Sequence, residues 1–188
     1  MRSTVARMTS APPTDETIEA FKRRAGEARS VVHEFADWHA VAALALTLAP
    51  EGGIAVSGPA AEAGPVLLED LGERTIAPGQ EHRVTAGGAV GIVRGALGIA
   101  ETGSVMLVEE RSEDRAVSML SPIVIQVLDR DQIFQTLDVL LEQLFRRVDG
   151  GPPTFASLST GPSRTADIER SLTIGVHGPH DVHVVILG

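Results

Sequence analysis

The stretch STGPSRTADIERSLTIGVHGP, residues 159–179, sets an arginine in a Gly-Pro-Ser turn and follows it with His-Gly-Pro. These residue types suit anion binding. A strand ending near Ser159, a turn through Gly161 and Pro162, and a helix capped by Ser163 or Thr165 would aim free backbone N–H groups out of the strand's carboxyl end. Arg164 beside those amides is placed to fork onto a carboxylate or phosphate. The plainer alternative is a capped turn in which Arg164 pairs with a local acid such as Asp167. His177 follows Gly175, in the turn leading to the last apolar run. His177, His180 and His183 are spaced by three, but a turn followed by a strand scatters such side chains. No carboxylate is spaced to complete a site, so no metal is expected.

A second constellation is GIAETGS, residues 98–104. At a turn between strands, Glu101 is the candidate catalytic carboxylate, while Thr102 and Ser104 bring hydroxyls for acyl transfer or for holding a polar ligand. The alternative is a hairpin turn whose hydroxyls satisfy their own backbone. The segment is neither a Walker loop nor a dinucleotide fingerprint: no Gly-Lys-Ser/Thr follows, and no G-x-G-x-x-G opens a helix. Glu109, Glu110, Glu113 and Asp114 read as a solvated acidic loop.

The elements that position these residues follow from periodicity and caps. Thr14 with Asp15 and Glu16 opens a helix in which Ile18, Phe21 and Ala25 recur at helical spacing. SVVHEF from Ser30 reads as a strand, and Asp37 caps the helix WHAVAALALTLA. GGIAVSG, residues 52–58, is a short buried strand. Pro59 starts a helical stretch with Val66, Leu67 and Leu71, and RTIA is a strand. This βαβ rhythm predicts a largely parallel sheet. From Gly87 the glycine-punctuated runs through VMLVEE and SMLSPIVIQVLD predict consecutive strands without an intervening helix, hence at least one antiparallel hairpin. A helix is predicted over Asp131 to Val148 from its apolar stripe, followed by two last strands in TFASLSTG and DVHVVILG.

Length and composition bound the rest. The 188 residues suit one α/β domain over 14–188, three-layered around a mostly parallel sheet, after a disordered leader over 1–13. A net charge of −9 argues against nucleic acid or an anionic membrane as the main partner. With no cysteine, the chain has no disulfide, no thiol nucleophile and no thiolate to hold an iron–sulfur cluster, so redox chemistry would need a borrowed cofactor. No apolar run approaches a membrane span, and MRSTVARMTSAPPTDE lacks the apolar core of a signal peptide, which predicts a cytoplasmic protein.

Taken in order, AETGS and, about sixty residues later, GPSRTADIE with GVHGP and a terminal apolar strand resemble the LUD-domain family, lactate utilization protein C type. The resemblance implies the fold shared by ribose-5-phosphate isomerase, glucosamine-6-phosphate deaminase and CoA transferases. It also implies a place in a three-component system that oxidises L-lactate to pyruvate, in which the other two components are iron–sulfur proteins. A chain without cysteine matches the cluster-free component, one that binds a small carboxylate or its iron–sulfur partner subunits and no cofactor of its own. The alternative is a stand-alone enzyme acting on a phosphorylated sugar or CoA thioester, with Glu101 as base or nucleophile and Arg164 on the anion. In either case Glu101, Thr102, Ser104, Ser163, Arg164, Thr165, Asp167 and His177 are expected around a cleft at the carboxyl ends of the strands. The chain departs from the family pattern at RGALGI, where an Asp and an aromatic are common, and at SPIVIQ, where a His is common. It is also short between Ala77 and Val90.

Overall fold

A computed structural model describes residues 13–77, 80, 88–138, 155–166, 172–174 and 178–188, with backbone alone at 88, 89, 164–166 and 172–174. The N-terminal half follows its caps. Thr14 accepts from the Thr17 N–H to open α1 (Asp15–Glu27), and Asp37 accepts from the Ala40 N–H to open α2 (Trp38–Leu48) after β1 (Val31–Phe35). β2 (Gly53–Val56) leads through α3 (Gly58–Ala63) and α4 (Val66–Leu71) to the short β3 (Thr75–Ile76).

β4 (Gly88–Ile99) is the longest strand among the described residues and serves two neighbourhoods. Its first half lies in a parallel sheet with β2 and with β6 (Ile123–Asp129). Beyond an irregularity between Gly95 and Leu97, its second half pairs antiparallel with β5 (Ser104–Val108) and parallel with β7 (Ile133–Phe134). β11 (Asp181–Leu187) runs parallel between β6 and β1, so the parallel order is β1-β11-β6-β4-β2-β3. β8 (Ala156–Ser159) adds antiparallel to the outer edge of β5, and β9 (Arg164–Ala166) and β10 (Leu172–Ile174) form a separate antiparallel pair.

The near-continuous apolar runs of β6 and β11 follow from burial on both faces. Ile125, Val127, Val185 and Leu187 pack with Val41, Ala45, Ala60 and Leu67 of α2, α3 and α4. Val124, Leu128, Val182, Val184 and Ile186 point the other way, onto Ile18, Phe21 and Ala25 of α1 and Val117 of α5 (Ser112–Leu120). This gives the expected three layers around a mostly parallel sheet with a hairpin.

Three expectations are overturned. The segment between β5 and β6 holds a helix, α5, which carries the chain from the end of the hairpin back to the start of a parallel strand. The helix expected from Asp131 does not start there: Arg130–Gln132 form a 3-10 turn, and Ile133 and Phe134 form β7, with their side chains buried in cores on opposite sides. Leu137 and Asp138 are helical, and 139–148 lie outside the described residues. After Ser163 the chain enters β9 instead of a helix, with Arg164 opposite Ile174 and Thr165 opposite Thr173. Residues 1–12 of the expected leader also lie outside the described residues.

Candidate functional site

The turn between β4 and β5 is pinned by its neighbours. Gly103 adopts φ +67°, and a Cβ there would lie 2.2 Å from the Ala25 nitrogen, so this turn presses directly on α1. The Glu101 N–H donates to the Gln135 carbonyl at 3.0 Å, while the Glu101 side chain is exposed. Thr102 Oγ1 lies 2.7 Å from Ser104 Oγ, which in turn lies 2.6 Å from Thr160 Oγ1. This chain of hydroxyls joins the turn to the segment after β8. Ser104 is buried between Thr102 and Thr160, both exposed, so the chain crosses a buried hydroxyl between two surface ones.

The Gly161 turn is fixed in the same way: φ is +73°, and a Cβ there would lie 2.0 Å from the Ala28 carbonyl oxygen. The Ser163 N–H donates to Pro179 O at 2.9 Å, and the His180 N–H donates to Pro122 O at 2.7 Å. These bonds tie the 160–163 turn to the residues just before β11 and β6.

A groove of about 420 Å³ opens beside this turn. Leu107, Met119, Leu120 and Leu158 supply its apolar wall. Ser118, Gln126, Ser157, Ser159, Thr160 and Ser163 supply its polar side. Gln126, buried in β6, donates from Nε2 to Ser159 Oγ at 2.7 Å. Among the described residues the lining contains no ionic side chain.

The groove lies over the start of β6 and beside the start of β11, while a second hollow of about 440 Å³ at the carboxyl ends of β1, β6 and β11, where a cleft was expected, is lined by Asp37, Trp38, Asp129, Arg130 and Asp131 and, among the described residues, by none of those expected there. The groove owes its place to α5, whose last turn delivers Met119 and Leu120 directly to the beginning of β6. The anticipated cradle of free amides at a helix N-terminus is also absent at Ser163, whose N–H is taken by Pro179 and is followed by a strand.

Of the residues singled out from sequence, the structure links Thr102 and Ser104 to Thr160 and places Ser163 on the groove. Glu101 sits on the exposed side of the same turn. Arg164 and Thr165 are located by backbone only, in β9, and Asp167 and His177 lie outside the described residues. His180 is exposed, whereas His183 is buried and stacked on His33, with ring nitrogens 2.9 Å apart. Among the described residues no group of three or more metal-ligating side chains forms.

Sequence reasoning missed a pair of buried acids behind the groove. Glu109, 4% exposed, ends the hairpin, and Ser118 of the groove wall lies 3.0 Å from its Oε2. Asp114 of α5, 3% exposed, accepts from the Gly58 N–H at 2.7 Å. Burial pushes the Glu109 carboxyl up to about 7, the Ser118 hydroxyl opposes this, and the nearby Asp114 adds to it. Burial also raises Asp114, against the opposing bond from Gly58. The Arg115 charge offsets the rise at Glu109 only in small part: its Nη1 donates to the carbonyls of Glu109 and Glu110, and its guanidinium lies 4.7 Å over the Phe155 ring. The available signal was Glu113 and Asp114 just ahead of Val117, acids in the first turn of a helix.

The LUD domain family model matches residues 80–187, the part that builds β4 to β11 and the groove. Lactate utilization protein C of Macrococcus caseolyticus is 35% identical over 92 residues, 48% of this chain and 40% of that protein. Lactate utilization protein C of Bacillus subtilis is 30% identical over 112 residues, 58% of this chain and 44% of that protein. The chain therefore spans less than half the length of these relatives. The crystal structure of a DUF162 family protein from Deinococcus radiodurans superposes with a TM-score of 0.63 at 24% identity, covering 94% of this chain and 100% of that one, which shows a shared fold. With its hairpin, groove and final strand all inside the matched region, the chain belongs to the LUD domain family.

Proposed function

We propose that this chain serves lactate utilization as a cluster-free component, holding a small carboxylate such as L-lactate or pyruvate in the groove between α5, β6 and β8 and working with iron–sulfur partner subunits. The observation that carries this reading is the similarity to several proteins named Lactate utilization protein C, at 30–35% identity over about half of the chain. The groove supports the ligand class through its polar side, which is lined by hydroxyls and one amide that can bind carboxylate oxygens. The missing cysteines support the division of labour, because electrons leaving the C2 carbon of lactate need an acceptor that this chain's own thiols cannot hold. A stand-alone enzyme built on Glu101 gains no support from the geometry, since that side chain is exposed at its turn. The test is growth on L-lactate as carbon source after deletion of the chain from its host. Loss of growth, restored by the intact chain, is expected. Unchanged growth would count against the reading.

A further inference from the structure

Ser118 Oγ lies 3.0 Å from Glu109 Oε2 and 3.1 Å from the Arg115 carbonyl oxygen. A hydroxyl carries one hydrogen, and neither a carboxylate nor a carbonyl can donate. An ionised Glu109 and the Arg115 carbonyl would therefore compete for the Ser118 hydrogen. A protonated Glu109 resolves the conflict: Glu109 Oε2 donates to Ser118 Oγ, and the Ser118 hydrogen goes to the Arg115 carbonyl, or turns to a ligand oxygen that takes that carbonyl's place. The other oxygen, Glu109 Oε1, is buried without a hydrogen-bond partner, an arrangement far costlier for a carboxylate than for a neutral acid. The charged groups facing Glu109 from α5 are Asp114, whose charge opposes ionisation, and Arg115, whose smaller effect favours it and whose guanidinium is held by main-chain carbonyls and Phe155.

Ser118 lines the groove, and Glu109 stands directly behind it. We propose that Glu109 and Ser118 form the carboxylate-binding element of the groove, with Ser118 donating its hydrogen to a ligand oxygen while protonated Glu109 donates to Ser118. The ligand class, a small 2-hydroxy or 2-oxo acid, rests on the function proposed above. The chain of donors ends on the ligand's negative charge, so the groove binds an anion with neutral donors. When Glu109 ionises, it takes the Ser118 hydrogen for itself and places a negative charge behind the site. Binding at alkaline pH therefore takes up a proton from solvent, one for each ligand bound.

The test is calorimetric or NMR titration of the purified chain with L-lactate and with pyruvate between pH 6 and 8.5. With Glu109 titrating at about 7, affinity should fall roughly 30-fold over that range. In Glu109→Gln the amide donates to Ser118 at every pH, so its affinity should stay within about threefold across the range. Ser118→Ala should bind about tenfold more weakly than the wild type at pH 6, as expected for losing a hydrogen bond to a charged group. Comparing wild type with Glu109→Gln cancels the general rise in negative charge with pH. A wild-type affinity independent of pH, a 30-fold fall retained in Glu109→Gln, or no binding of either acid at pH 6 would each overturn the proposal. The growth test judges the functional reading separately, because lactate dependence of growth would survive any of these outcomes.

Discussion

Glu109→Gln should stabilise the protein at alkaline pH and leave it nearly unchanged in acid. The carboxyl is lifted from 4.5 to about 7 in the folded chain, chiefly by burial. Below 4.5 it carries its proton in folded and unfolded states alike, and stability is unaffected. Between these values the folded state holds more protons than the unfolded one, so stability falls as pH rises and the loss is complete above about 8. At about 1.4 kcal/mol per pH unit, this lift corresponds to roughly 3 kcal/mol of stability forgone at pH 8.5. Glutamine has nearly the same shape and reproduces the donor that protonated Glu109 offers to Ser118, so it removes this cost without opening a cavity. Urea unfolding at pH 4 and 8.5 measures the effect, with unchanged m-values identifying a change in stability alone. The variant should gain about 3 kcal/mol at pH 8.5 and less than about 0.5 kcal/mol at pH 4. A variant no more stable relative to the wild type at pH 8.5 than at pH 4 would show that folding does not raise the Glu109 carboxyl, and a greater loss at pH 8.5 would show that the fold holds it as a carboxylate.

Two further perturbations probe the frame of the site. Gly103→Ala should cost at least about 2 kcal/mol by urea unfolding, because it combines a left-handed backbone with a Cβ placed 2.2 Å from the Ala25 nitrogen; a cost under 0.5 kcal/mol would mean the turn does not press on α1. His33 and His183, stacked and desolvated, should both titrate below the usual 6.5 in imidazole NMR, so their contribution to stability declines as pH drops below that value; a normal or raised midpoint for both would contradict the burial of the pair.

The N-terminal half was legible because its signals are local. Thr14 and Asp37 cap the helices they were expected to cap, and the apolar spacing of Ile18, Phe21 and Ala25 faces the core. The hairpin after Gly87 was legible from its glycines and β-branched runs. What misled were segments whose state is set by distant partners. Ile133 and Phe134 fit a helical stripe, but the outer half of β4 offers an open strand edge, and pairing there buries both side chains. The acids through Asp114 read as a solvated loop and SML as the opening of a strand run, because the inward residues of α5 include Asp114 and Ser118 and the helix buries polar groups in place of an apolar stripe. The same feature hid Glu109: an acid beside another acid reads as solvated, and only the return of α5 over the hairpin encloses it. The hydroxyl chain from Thr102 to Thr160 was half legible. AETGS and the turn before Arg164 were each recognised, but their meeting depends on β8 docking against β5.

The proposed cluster-free role in lactate utilization beside two iron–sulfur proteins is tested most directly by a dye-reduction assay with L-lactate on three samples: the purified chain with and without added flavin or NAD, the two proposed iron–sulfur partners alone, and all three proteins together. No sustained reduction by the isolated chain is expected, and full reduction only when the chain and both partners are present. Reduction by the isolated chain at the rate of the complete mixture, or an undiminished rate when the chain is left out, would contradict it.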